Sequence, residues 1–137
     1  MGKRRKAREF ALQLLFQLDV TNKMSGDDSA KPMELFWEHT SCKEEIKDFS
    51  SEIIRGTLAH VEKIDENINK YAENWDLNRM PTVDRNILRF AIYEILYRDD
   101  IPLKVSINEA IEISKSYGTE DSARFINGLL DKISKTL

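Results

Sequence analysis

The chain has 137 residues, 41% hydrophobic and 33% charged, with only five Gly and three Pro, too few turn formers for a β-rich fold. This length matches about one domain, 1–137, with enough chain for one buried core. Lys and Arg number 21 against 24 Asp and Glu, for a net charge of -3, and no apolar run approaches the ~20 residues that cross a bilayer, so no membrane span is predicted.

The charge is unevenly placed. Lys3, Arg4, Arg5, Lys6 and Arg8 put five cations and no anion in the first eight residues, leaving 16 cations against all 24 carboxylates in the rest. The pattern is an acidic body with a basic arm. Residues 3–20, KRRKAREFALQLLFQLDV, read as an amphipathic helix with Ala7, Phe10, Ala11, Leu14, Leu15 and Leu18 on its inner stripe. It is no export signal, because Arg8, Glu9 and Gln13 interrupt the apolar run, and the expected compartment is the cytoplasm. The lone Cys42, unable to pair internally, fits that compartment. Cations at a helix N-terminus oppose the helix dipole, so Gly2 to Lys6 are expected to fray unless an anion compensates.

Thr21 to Lys31 has no periodicity and reads as a surface loop. A short helix, Met33 to Thr40, is expected after Pro32, with Met33, Phe36 and Trp37 on one face. Ser41 and Glu44 have the spacing of a capping box. The helix it would open carries Ile46, Phe49, Ile53, Ile54, Leu58, Val61 and Ile64, and Asp65 would cap a further one with Ile68, Tyr71 and Ala72. Trp75 to Met80 reads as a connector.

The stretch Asp84 to Arg98, DRNILRFAIYEILYR, is the centre of the expected fold. Ile87, Leu88, Ala91, Ile92, Ile95 and Leu96 form an aliphatic face and Phe90, Tyr93 and Tyr97 an aromatic one. Water would reach only two seams, Arg85 with Arg89 and, opposite, Glu94, so the helix is expected to be buried, with Thr82 or Asp84 as its cap. Pro102 breaks it. Ser106 and Glu109 then offer a second capping box, for a helix with Ile107, Ala110, Ile111, Ser114 and Tyr117 inward and Gly118 at its end. Thr119 would cap the last helix, whose inner stripe is Ala123, Ile126, Leu129, Leu130 and Ile133. The fold class is all-α, about seven helices.

No nucleotide-binding, hydrolase or metalloprotease motif occurs, and no carboxylate pair stands out as an acid/base dyad, so no enzyme and no cofactor is predicted. His39 and Cys42 are two potential metal ligands across a helix boundary, which does not make a zinc site, and no metal is predicted. Clustered cations suit a phosphate backbone and are the strongest physical signal in the chain, with a solvated, solubilising end as the plainer alternative of lesser weight. Phe125, at the border of the last helix's inner stripe and on one seam with Asp121 and Lys132, has the placement of a base-stacking ring or of a peripheral core residue.

These residues carry a likeness. The chain resembles the NusB family of bacterial transcription antitermination factors along nearly its whole length, through Ala7-Arg8-Glu9 with FALQLLFQLD, VDRNILRFAIYEILY (83–97), Ile101-Pro102, INEAIEISKSYG (107–118) and FINGLLDKI (125–133). The resemblance implies two three-helix bundles sharing one domain around the buried helix 84–98. It further implies binding of the single-stranded boxA element of ribosomal RNA operons together with NusE, a small-subunit ribosomal protein, and assembly with NusA, NusG and RNA polymerase. It is compatible with a monomer or a homodimer. The family's RNA-facing positions correspond to the arginine-rich start, with Lys3, to Arg4, Arg5, Lys6 and Arg8, and to Asp121 and Phe125; Asp84 falls toward the protein partner. Lys6 stands where the family often has Arg, keeping charge but losing two-pronged geometry. Two other readings compete: a non-catalytic RNA-binding domain like that of RNA cytosine methyltransferases, and a helical adaptor whose basic end is incidental.

Overall fold

The computed structural model describes residues 2–73 and 76–137, so the connector's Trp75 lies outside the described residues. Seven α-helices run through them, with no strand: α1 (Lys3–Val20), α2 (Ala30–Glu38), α3 (Glu44–Ala59), α4 (Val61–Tyr71), α5 (Thr82–Tyr97), α6 (Leu103–Tyr117) and α7 (Ser122–Ser134). Short 3-10 turns, Gly26–Ser29 and Leu77–Arg79, occupy two of the connections.

The all-α architecture agrees with the sequence pattern, and α5 is its axis. It packs against α1, α3, α4, α6 and α7. Ile87, Leu88, Phe90, Ala91 and Ile92 are all buried because apolar side chains on both faces can leave water only if helices cover both. On one side α1 and α3 pack on each other and on α5, with α2 against α1; on the other, α6 and α7 fold back on each other and on α5. These are the two bundles, and α5 belongs to both.

The seams of α5 are largely withdrawn from water, with only Arg85 partly exposed. Arg89 and Glu94 are buried among helices, where each is paired with an opposite charge. Asp19 on α1 accepts from Arg85 Nε at 2.6 Å, Asn86 Nδ2 at 2.8 Å and Arg89 Nη1 at 3.0 Å, while Arg89 Nε also donates to Asp65 Oδ1 at 2.9 Å. One polar cluster thus ties α1 and α4 to the axis. Burial alone would raise the Asp19 carboxyl pKa, but the hydrogen bonds from Arg85 and Asn86 and the two guanidinium charges outweigh it and hold the carboxyl below its ordinary value.

Local capping is where the sequence reading departs most from the structure. Helix α1 is ordered from Lys3 rather than frayed to Lys6, because Lys3 pairs with Glu45 and Arg5 with Glu109, supplying the anions its first turn lacks. Helix α2 begins at Ala30, inside the expected loop, with Pro32 tolerated in the first turn, and ends at Glu38. Neither capping box forms. Ser41 lies outside α3, which starts at Glu44 with two carboxylates in its first turn and no side-chain cap. Ser106 and Glu109 lie inside α6, which starts at Leu103 after Pro102. The helix break expected at Asp65 falls at His60, whose ring stacks on Tyr97 with centroids 3.8 Å apart, and Asp65 sits within α4 facing Arg89. Thr82 is the first residue of α5, which has no side-chain cap from Thr82 or Asp84.

On α6 the buried positions are Ser106, Ala110, Ile113 and Ser114, and Tyr117 is exposed rather than inward. Gly118 ends the helix with φ −99°, so left-handed freedom is not its purpose. A Cβ there would come 2.5 Å from Ser122 Oγ and 2.9 Å from the Ser114 carbonyl, so close approach is. Helix α7 begins at Ser122, whose hydroxyl accepts from the Thr119 N–H at 2.9 Å; Thr119 itself stays outside the helix.

Candidate nucleic-acid interface

The basic arm is the first two turns of α1, fixed on the body by carboxylates. Arg5 grips Glu109 of α6 with two prongs, Nε to Oε1 at 3.1 Å and Nη2 to Oε2 at 2.6 Å, and this pairing raises the guanidinium pKa. Lys6 lies 3.9 Å from Glu9 one turn on. Arg4 is exposed, with its guanidinium carbon 4.4 Å from the centroid of the Phe49 ring. Arg8 and Arg98 approach the same ring at 5.3 and 5.5 Å. Arg98 is held in turn by Asp100, at 2.9 Å through both Nε and Nη2, and by Glu52 at 3.1 Å. That hydrogen bonding from Arg98 pulls the Asp100 carboxyl down to about 2.

Lys3, Arg4 and Lys6 are therefore exposed on one edge, and Arg5 is 20% exposed there. Arg8 is not. It is 2% exposed and forks onto Glu94, so the reading of Arg8 as an RNA contact is corrected: the cation at that position locks α1 to α5. Its place on the inner side of α1, beside Ala7 and Ala11, is the cause.

Asp121 and Phe125 stand together at the start of α7. The Asp121 side chain is 90% exposed, 4.0 Å from Arg124. Phe125 is half-buried, packed against the core from its border. Asp84 lies beneath them at 5% exposure, and its Oδ1 accepts from Ser122 Oγ at 2.7 Å. The expectation that Asp84 offers itself on an outward protein-binding face is corrected: it joins the start of α5 to the start of α7. Burial raises its carboxyl pKa, and the Ser122 hydrogen bond works against that rise.

The arm and the Asp121–Phe125 pair lie at opposite ends of α5. Glu94, which anchors Arg8, is ten residues beyond Asp84, about 15 Å along the axis at the usual helical rise. A compact ligand cannot touch both ends, whereas an extended single strand of several nucleotides can. Residue types alone did not reveal Glu94, Glu109 and Phe49 as partners of the arm. Phe49 read as core and Glu109 as a cap, and only the meeting of α1 with α3, α5 and α6 gives them these roles.

Residues 5–135 match the model of the NusB family. The chain is 50% identical over 139 residues to the transcription antitermination protein NusB of Thermodesulfovibrio yellowstonii, covering 97% of this chain and 92% of that one. Among solved structures it is similar to T. maritima NusB, with a TM-score of 0.84, 40% identity and coverage of 96% of this chain and 90% of that one. The same fold, at TM-score 0.81 and 23% identity, with 100% of this chain and 99% of that one covered, occurs in a crystal structure of the antitermination factors NusB and NusE in complex with double-stranded RNA.

Proposed function

The chain belongs to the NusB family, and from that premise we propose that it is a transcription antitermination factor that works by recruitment rather than catalysis. It binds the boxA element of ribosomal RNA operons jointly with NusE and joins NusA, NusG and RNA polymerase, in the cytoplasm. The observation that supports this reading best is the edge made by Lys3, Arg4, Arg5 and Lys6 on an otherwise acidic body. Such a body repels phosphates except at that edge, which confines docking to it. The arm then contributes affinity that ignores sequence, and selectivity comes from contacts to bases and from the second protein. A basic ribosomal protein meets the acidic remainder by charge complementarity, which speeds association and selects the partner. A fold neighbour seen with NusE and RNA is consistent with this assembly.

The test is a gel-mobility titration of boxA RNA with the protein, with and without NusE. A salt-sensitive complex that NusE tightens is expected, and equal affinity for boxA and a scrambled RNA in the presence of NusE would overturn the reading.

A further inference from the structure

Between α2 and α3 lies a groove of about 800 Å³. Its apolar floor is Met24, Met33, Trp37 and Leu58, each packed against the core and only half-buried. The walls carry opposite charge, with Asp27, Glu34 and Glu38 on the side of α2 and Lys47 and Arg55 on the side of α3. Among the described residues no ion pair crosses the groove. Glu34 pairs along its own helix with Lys31, and Asp27, Glu38, Lys47 and Arg55 have no ionic partner. Lys47, Ser51 and Arg55 recur at four-residue spacing, so they stand in one row about 12 Å long, or roughly two helical turns. A different side of α3 meets the basic arm, where Lys3 pairs with Glu45 and a separate cleft is lined by Arg4, Asp48 and Glu52. The groove and the arm are thus on different sides of one helix.

We propose that this groove receives an amphipathic helix of a second protein, seated by its apolar stripe, with cations on the flank beside α2 and carboxylates on the flank beside α3. A floor of methionines and an indole adapts to the side chains laid on it, and it suits a stripe spaced i, i+3, i+4 and i+7. The two charged rows face each other unbridged, and an occupant with oppositely charged flanks meets both. Reversing a helix in the groove exchanges its flanks, so the same rows also fix the direction in which it runs. Other occupants fit less well. A phosphate backbone gains from Lys47 and Arg55 but is repelled by the three carboxylates opposite. A second copy of this chain has no helix to spare, since α1, α3, α5 and α7 each bury their apolar stripe in their own core. The proposal adds to the recruiting role a protein-binding face that does not depend on RNA.

The test uses the full chain and fluorescein-labelled synthetic peptides of about 20 residues on one Ala-rich helical frame with a common leucine stripe. One peptide carries Lys on one flank and Glu on the other, a second carries Lys on both, and a third carries Glu on both. By anisotropy the mixed peptide is expected to bind the unaltered protein most tightly. Lys47→Glu with Arg55→Glu is expected to weaken it about fivefold or more at low salt, as two attractions become repulsions, and to tighten the Lys-only peptide, with the melting temperature unchanged. Equal binding of the mixed and uniform peptides, or of the mixed peptide by variant and unaltered protein, would overturn the proposal. A second measurement needs no variant: in protein with labelled methionine methyl groups, the mixed peptide is expected to shift the NMR signals of Met24 and Met33 and to leave Met80, at the start of α5, unmoved. A shift of Met80 without the other two puts the peptide elsewhere and counts against the groove. Displacement of the peptide by single-stranded RNA would give the groove to RNA, and a dimer in sedimentation that the charge-reversed variant disperses would give it to a second copy. Either result overturns the proposal.

Discussion

Arg8 and Glu94, 86 residues apart in the chain, meet inside the protein as a two-pronged ion pair, Nε to Oε2 and Nη2 to Oε1, both at 2.8 Å. Ser106 Oγ donates to Glu94 Oε1 at 2.9 Å, and Glu109 lies 3.6 Å from Arg8 Nη1. Three helices, α1, α5 and α6, are thereby joined at one point, and the basic arm projects from that joint.

Removing one partner of this pair leaves the other charge buried. Arg8→Met is expected to cost about 3–5 kcal/mol in urea unfolding. Adding Glu94→Leu removes the orphaned charge and is expected to recover most of that loss. A single variant as stable as the unaltered protein would show that the pair holds nothing together.

The carboxylates of half-buried Asp19 and buried Asp84 should respond to pH in opposite directions. The Asp19 carboxyl lies below its ordinary value, so its contribution is present above the usual carboxylate range and is lost as pH falls through the depressed value. Asp19→Asn is expected to lower the melting temperature near neutrality and to bring the two proteins together in strong acid. The Asp84 carboxyl lies above its ordinary value, so its contribution is present in acid and is lost as pH rises through the raised value. Asp84→Asn is expected to be no less stable than the unaltered protein at pH 7. Melting curves across pH 2 to 8 decide both, and a gap for Asp19→Asn that widens in acid would reverse the assignment.

Glu109 occupies the Arg5 fork that a phosphate would use. Glu109→Gln is expected to tighten RNA binding and to steepen its dependence on salt. Arg4→Ala with Arg5→Ala is expected to weaken binding and flatten that dependence by about 0.7 in log–log slope for each phosphate of a single strand that is no longer neutralised. Fluorescence anisotropy from 50 to 300 mM salt reads both. Weaker binding by Glu109→Gln would mean that the carboxylate positions Arg5 for RNA instead of competing with it.

Phe125→Leu keeps an apolar wall on α7 but removes the ring. It is expected to cost less than about 1.5 kcal/mol of stability, as volume-conserving exchanges do. RNA affinity is expected to fall by roughly 1–3 kcal/mol, the scale of one stacked base. Intact RNA binding with a large drop in melting temperature would make Phe125 a core residue only.

The helices themselves were legible from periodicity, because apolar spacing records which face of a helix leaves water. The stretch 84–98 announced a buried axis through apolar residues on two faces, α1 showed its inner stripe correctly, and α7 did so for Ile126, Leu129, Leu130 and Ile133, with Ser122 buried in place of Ala123. What the spacing could not show is which charges meet. Arg8 read as one more cation of a basic arm, Glu94 as a wet seam and Glu109 as a cap, since each is polar and each lies at a position where water is the default partner. Tertiary packing brought α1, α5 and α6 to one joint and withdrew all or most of each side chain from water, so that only pairing could satisfy it. The same convergence at the other end of α5 turned Asp84 from an outward contact into the floor of a cleft beside Phe125. Local sequence determined the helices and the charge of the arm. Long-range packing decided which of those charges remain free to meet RNA.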